Sequence, residues 1–250
     1  MNEHDNKVFV CFSQKDRYKI AEPIVYHLRN YGIPTWYDRY ELLMGHDRRE
    51  KNLIEGALKC AYAMPIISKN SEESPCFLEE LSIIKQRFRD GDIIVFPVLY
   101  ELAPDRIPTD LQWIKELIFK EADRCSGTRE ICNHVACRYT DDIVKGLRYN
   151  KIQDIVNDPS CGTSPTSQAL LRAYLKIDSD NLDARVSMLY ATYLLLTSEQ
   201  TIHSGRHIEM VKKIFERLFS ETKLHLEIDY RDLWLLENSI CILIDGYLAF

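Results

Sequence analysis

The sequence predicts an α/β domain built on a parallel sheet, followed by a small all-α extension. Three observations predict it. Over the first 150 residues, short apolar runs of strand type alternate with segments whose apolar residues recur at helical spacing. The stretch Asn157–Ser167 (Asn-Asp-Pro-Ser-Cys-Gly-Thr-Ser-Pro-Thr-Ser) has the composition of a linker. Beyond it, residues 168–250 hold three long helical patterns and no persuasive strand. The chain therefore divides into an α/β domain over 6–150, a linker over 151–167 and a helical domain over 168–250.

The elements follow in order. Val8-Phe9-Val10-Cys11-Phe12 is a first strand, and Ser13-Gln14-Lys15-Asp16 breaks it and starts a helix. Ile20, Ile24, Leu28 and Tyr31 give that helix one buried face, with Pro23 marking either a start near Glu22 or a kink. Gly32 ends it, and Ile33–Tyr37 is a second strand. A polar connection over Asp38–Asp47 leads to a helix through about Cys60, with Leu53, Ile54, Ala57 and Leu58 apolar. Ala61–Ile67 is a third strand. Cys76–Phe88 is an amphipathic helix with Phe77, Leu81, Ile84 and Phe88 at helical spacing. Asp90-Gly91-Asp92 turns into Ile93–Val98, the most apolar strand and the expected centre of the sheet. Leu117-Ile118-Phe119 is a short fifth strand, and Asp141–Arg148 the closing helix. In the extension, Ala169–Arg185 resembles the helix, Asp-rich turn and helix of tetratricopeptide repeats, with fewer than three repeats visible. Ile240–Leu248 is apolar enough that a helix there is expected to need a covering neighbour, such as a partner subunit.

Composition excludes several function classes. The net charge is −6, and neither residues 1–150 (22 basic, 24 acidic) nor residues 151–250 (10 basic, 14 acidic) is a basic module, so nucleic acid is not an expected partner. Apolar runs such as Ile93–Tyr100 and Met188–Leu196 fall short of the ~20 residues that span a bilayer, so no membrane association is expected. The charged segment Met1–Lys7 has no apolar core of a signal peptide, which makes the expected location cytoplasmic and the eight cysteines reduced thiols. Cys125, Cys132, His134 and Cys137 could supply four zinc ligands. Their spacing, C-x6-C-x-H-x2-C, lacks the paired knuckles of common zinc sites, so thiols are the expected reading and no metal is assigned. The nine glycines form no G-x-G-x-x-G or Walker A string.

Several strings, taken in order, resemble the Toll/interleukin-1 receptor (TIR) domain over about residues 6–150. Val8-Phe9-Val10-Cys11-Phe12-Ser13 is similar to the family's first box. Trp36-Tyr37-Asp38 followed by Glu41-Leu42-Leu43-Met44-Gly45 is similar to its second strand and BB loop. Cys76-Phe77-Leu78-Glu79-Glu80-Leu81 is similar to its W-C-x-x-E-L helix, with Cys76 where the family often has Trp, and Phe96-Pro97-Val98 to the strand after it. The resemblance implies a flavodoxin-like fold with a five-stranded parallel sheet.

Many TIR domains of this kind, especially bacterial and plant forms, cleave NAD at the nicotinamide–ribose bond. The family spacing counted from Cys76 lands on Glu80 as the catalytic carboxylate, and helix geometry turns Glu79, about 100° away, off the cleft. An isolated Glu on an amphipathic helix is ordinarily a solvated carboxylate; the surrounding boxes are what single Glu80 out. The chemistry needs little more than that carboxylate. Nicotinamide leaves neutral, the ribose becomes oxocarbenium-like, and no cofactor or metal is required because NAD is the substrate. Phe12, Ser13, Gln14, Asp38 and Leu43 occupy positions that the resemblance implies line the nucleotide cleft, Phe12 against a ring and Leu43 mainly through backbone. Some relatives have basic residues at the Ser13–Gln14 positions, which this chain lacks. Trp36 and Trp113 are either aromatic platforms or core, with core favoured, and His46, Arg48, Arg49 and Lys51 read as surface residues.

The resemblance further implies self-association through TIR domains, with the cleft completed by a neighbour's BB loop. It also implies a setting like bacterial antiphage (Thoeris-like) defence, in which a phage protein triggers the enzyme and the nucleotide product activates an effector. Open, cyclic and conjugated ADP-ribose are all compatible products. Two other readings stay open: a non-catalytic adaptor that scaffolds TIR–TIR signalling, and a sensor or assembly role for residues 168–250.

Overall fold

A computed structural model describes residues 5–199, 207–223 and 228–248. Residues 1–4 of the charged N-terminal segment and the terminal residues 249–250 lie outside them. The chain divides into two compact units, one of Met1–Arg29 and Ile33–Cys132, the other of Asn30–Gly32 and Asn133–Phe250.

The first unit is built on a parallel sheet of β1 (Asp5–Cys11), β2 (Thr35–Trp36), β3 (Cys60–Ile67), β4 (Ile94–Val95), β5 (Val98–Tyr100) and β6 (Lys120–Ala122). Its order is β2-β1-β3-β5-β6, with β4 also paired to β3. Val8 faces Thr35, Phe9 faces Ala63, and Ile66 faces Val98. The α/β class with a parallel sheet is therefore correct, and three details change. The central strand is β3, the middle one of the order, with β1 along one edge, β4 and β5 along the other, and every residue but Ala61 buried. The expected strand Ile93–Val98 is instead split at Phe96-Pro97, since Pro97 has no N–H for a ladder. Leu117–Phe119 is not a strand; pairing with β5 falls three residues later, and Ile118 is 88% exposed.

Helices flank the sheet. The segment after β1 enters through a π-type turn, Arg17–Ala21, and becomes α1 (Glu22–Asn30), with Pro23 in its first turn, where its missing N–H costs nothing. The expected polar connection contains a single turn, α2 (Asp38–Glu41). α3 (Pro75–Arg89) begins at Ser74, whose hydroxyl accepts from the Phe77 N–H, and ends before Gly91, where φ of +75° reverses the chain. Phe77, Leu81 and Ile84 of α3 pack on Phe9, Cys11, Ala63 and Ile67 of the sheet, each side chain contributing about 1.5–3 kcal/mol. The next helix, α4 (Thr128–Val144), begins in the first unit and belongs mostly to the second; it starts well before the expected Asp141, its buried Ile131, Val135 and Tyr139 recurring at i+4.

The helix between β2 and β3 is of π type, Arg49–Ala57, closed by the Leu58 N–H donating to the Leu53 carbonyl five residues back. Its wide turn buries Asn52, Leu53, Gly56 and Ala57 and leaves Ile54 and Leu58 exposed, contrary to a regular 3.6-residue reading. A Cβ at Gly56 would lie 2.6 Å from Phe9 Cε2 and 3.3 Å from Trp36 Cδ2. Both rings are fixed in the core, 5.3 Å apart. Gly56→Ala is thus expected to destabilise the unit by about 1–3 kcal/mol despite alanine's better helix propensity, read as a lower denaturation midpoint.

The second unit is helical, with no strand among its described residues. After α5 (Ile152–Asn157) come α6 (Pro165–Tyr174), α7 (Leu182–Glu199), α8 (Ile208–Lys223) and α9 (Tyr230–Leu248). α6 packs on α7, and α9 on α7 and α8. Tyr193 stacks on Phe215 at 4.2 Å, while Glu237 accepts from the Tyr174 hydroxyl and, at 3.2 Å, from Arg185. The expectation that Ile240–Leu248 needs a covering subunit is overturned for its described side chains: Ile240 to Ile244 are each at most 3% exposed within the chain.

Candidate active site

A sheet whose order reverses at β1, with β2 on one side and β3 on the other, leaves a crevice beyond the strands' C-terminal ends. The first unit has a cleft of about 310 Å³ there. Val10, Phe12, Ser13 and Gln14 line it from the end of β1, Asp38 from the end of β2, and Asn70 from the loop after β3. Arg48 and Asn52 of the π-type helix, and Cys76 and Glu80 of α3, close the wall.

Glu80 stands where the capped start of α3 directs it, one turn after Cys76 and 5% exposed. Its Oε1 accepts from Asn52 Nδ2 and, at 3.5 Å, from Arg48 Nη2. Burial pushes its pKa up to about 7, against the pull of the Cys11 thiol and of Arg48. The Cys11 thiol is pushed up in turn, by its burial first and the Glu80 charge second, so it remains a protonated donor. Glu79 turns away and meets Arg49 at 3.5 Å. The packing of α3 against the π-type helix is fixed by Arg87, whose guanidinium donates to the Ala57 and Cys60 carbonyls at 2.8 Å each.

The loops that carry the other wall are tied by a buried carboxylate. Asp16, fully buried, accepts from Ser68 Oγ at 2.5 Å and Asn70 Nδ2 at 2.6 Å. This joins the turn after β1, with Ser13 and Gln14, to the turn after β3, with Asn70.

Asp38 reaches the cleft, and both its oxygens are taken by Arg17, at 2.7 and 2.6 Å. The same guanidinium lies 5.2 Å from the Phe12 ring centroid and 5.7 Å from that of Tyr37. Arg17 therefore sets the position of both Asp38 and Phe12. Arg17→Ala is expected to cost on the order of 2 kcal/mol in thermal or denaturant unfolding; an unchanged melt would show that this fork carries no stability.

Of the residues named from the sequence, Phe12, Ser13, Gln14, Asp38 and Glu80 thus share one cleft. Leu43 does not line it: it is 70% exposed beside a fully exposed Met44, in a loop where the Leu43 N–H donates to His46 Nδ1 at 3.1 Å. Trp36 is core, and Trp113 packs on Phe88. Arg48, read as a surface residue, and Asn52, not singled out, both contact Glu80. Among the described residues no three His, Cys, Asp or Glu side chains gather as a metal site. Cys125 is exposed, and the Cys137 thiol contacts Asn133 Oδ1 and the Arg231 carbonyl, each at 3.3 Å. No helix of the described residues is long and apolar enough to cross a membrane.

Residues 8–128 match the family model described as TIR domain. The 2′ cyclic ADP-D-ribose synthase BtTIR of Bacteroides thetaiotaomicron is 26% identical over 99 residues, covering 40% of this chain and 34% of the relative. The NAD(+) hydrolase TcpA of Theionarchaea archaeon (strain DG-70-1) is 23% identical over 100 residues, covering 40% and 30%. The chain matches about a third of the length of these curated relatives. Among solved structures, the TIR domain of the Toll-related receptor TRR-2 from Hydra magnipapillata aligns with a TM-score of 0.38 at 17% identity, over 48% of this chain and 84% of that one. The TIR domains of the activated Roq1 resistosome align with a TM-score of 0.39 at 23% identity, over 56% and 76%.

Proposed function

With residues 8–128 identified as a TIR domain, we propose that the first unit cleaves NAD at the nicotinamide–ribose bond, with Glu80 as the catalytic carboxylate. The observation that carries this reading is a buried carboxylate at the wall of the cleft, held by Arg48 and Asn52 and raised to a pKa of about 7. The two curated relatives, named as a cyclic ADP-ribose synthase and an NAD hydrolase, support the reaction class.

In this reaction the C1′–N bond breaks and its electron pair goes to the pyridinium nitrogen, which leaves as neutral nicotinamide. Positive charge develops on the ribose ring, and the ionised Glu80 stabilises it inside a site of low dielectric. The ribosyl centre then takes an oxygen, from water to give ADP-ribose with loss of a proton, or from another hydroxyl to give a cyclic or conjugated product. No proton need be delivered to the leaving group, so one carboxylate suffices. Phe12, pinned by Arg17, offers a ring face, and Ser13, Gln14 and Asn70 offer hydrogen bonds along the nucleotide.

The exposed apolar pair Leu43–Met44 at the loop tip supports self-association as part of the function, since such residues are covered when copies meet. It equally favours the second reading, a non-catalytic scaffold. Incubating the purified protein with NAD at rising concentration separates the two: release of nicotinamide supports the enzyme, and assembly without release the scaffold. The antiphage setting, with a phage-derived trigger and a nucleotide-gated effector, rests on the family resemblance. Its test is protection of phage-challenged cells by the wild-type chain and loss of protection with Glu80→Gln.

A further inference from the structure

The side-chain amide of Asn52 is only half used. Asn52 is 6% exposed and lines the cleft; its Nδ2 donates to Glu80 Oε1, while its Oδ1 is buried without a hydrogen-bond partner. An ionised carboxylate can be met only by the NH2 end of the amide, so the free end is an acceptor. A buried acceptor left without a donor is costly, and folds ordinarily avoid it. At a cleft wall, the missing donor is one that arrives with a ligand.

The backbone around Asn52 is arranged to put it there. A regular helix would carry the apolar residues inward, whereas the π-type turn of Arg49–Ala57 directs Asn52 toward α3, and Arg87 fixes the far end of that helix through the Ala57 carbonyl. The donors of a dinucleotide are its ribose hydroxyls and its amide and amino N–H groups. Because the Asn52 amide is bonded to the carboxylate that faces the scissile ribose, hydroxyls of that ribose are the donors within its reach.

Resting on the function proposed above, we infer that Asn52 Oδ1 accepts a hydrogen bond from a hydroxyl of the nicotinamide ribose. Asn52 then holds Glu80 with one end of its amide and reads the sugar with the other. The substrate class that follows is a ribosylated, not a deoxyribosylated, nicotinamide.

The test is a cycle of kcat/KM for wild type and Asn52→Leu on NAD and on NAD lacking the 2′- or the 3′-hydroxyl of the nicotinamide ribose. Comparing ratios cancels the intrinsic lability of each analogue. The expected result is that wild type discriminates against one deoxy analogue and that Asn52→Leu reduces this discrimination roughly tenfold or more. Full discrimination retained in the variant, with NAD still cleaved, would overturn the inference and leave the proposed function standing. If NAD is bound but not cleaved, the same cycle is read on Kd, where lost discrimination supports the inference and retained discrimination overturns it. Neither binding nor cleavage by wild type would overturn both. Should Asn52→Leu fail to fold, Asn52→Ala removes the acceptor without filling its space.

Discussion

Glu80→Gln is expected to lower nicotinamide release by roughly 10²–10³-fold or more while leaving the fold intact. Glutamine keeps the size and both polar ends of the side chain, so its carbonyl still accepts from Asn52 and Arg48, and α3 keeps its packing through Phe77, Leu81 and Ile84. What disappears is the negative charge, the one feature that a developing ribosyl cation can use. The control is Glu79→Gln, one residue earlier on the outer face, which is expected to leave the rate within about twofold. Equal rates for wild type and Glu80→Gln would remove Glu80 from the chemistry.

The second large effect is on stability, in the opposite direction. Burial raises the Glu80 pKa from 4.5 to about 7, so the folded protein holds this proton more tightly than the unfolded chain. The associated stabilisation is complete below pH 4.5 and is lost as pH rises through about 7. At pH 8 the folded unit carries an ionised buried carboxylate at a cost of about 3 kcal/mol. Glu80→Gln should therefore melt higher than wild type at pH 8, by on the order of 10 °C in the transition of the first unit, with the gap closing near pH 5. A gap independent of pH would contradict the raised pKa.

The same group predicts a rate profile. In the proposed reaction only ionised Glu80 stabilises the ribosyl charge, so kcat/KM should rise with pH to a half-maximum near 7. The cationic nicotinamide ring of bound NAD favours the ionised form, so the corresponding limb of kcat should lie at lower pH.

How much of this can be seen in the sequence depends on whether regular periodicity applies. α3 is legible because Pro75, the Ser74 cap and the apolar spacing of Phe77, Leu81 and Ile84 all agree, and the same regular helix separates Glu80 from Glu79. At the end of β1 the strand itself is legible from its apolar run, whereas Phe12, Ser13 and Gln14 are marked as cleft residues by the family resemblance alone, and the structure places them there. The helix before β3 is not. Its apolar residues Leu53, Ile54, Ala57 and Leu58 suit a 3.6-residue turn, yet the wider turn exposes Ile54 and Leu58 and buries Asn52. A polar residue at an inward position, with a glycine four residues on, is the signal that could have marked it.

Tertiary pairing accounts for the rest. No local pattern brings Arg17 to Asp38, or Asp16 to Ser68 and Asn70, which lie more than fifty residues away in the chain. The family resemblance points to Asp38 for substrate contact, and its two oxygens prove to be held by Arg17; its role in the proposed site is to place Phe12 and the end of β2. Leu43 rests on the same resemblance, and its exposed position suits contact with a second copy better than contact within one cleft.

The central claim is that this cleft breaks the nicotinamide–ribose bond. The most direct measurement is mass spectrometry of NAD incubated with purified wild-type protein across a range of concentrations that includes assembled states. The expected result is free nicotinamide, with an equimolar product of the mass of ADP-ribose or of ADP-ribose less water, at a rate per molecule that rises with assembly. Intact NAD at every concentration, with the protein folded and assembled, would contradict it.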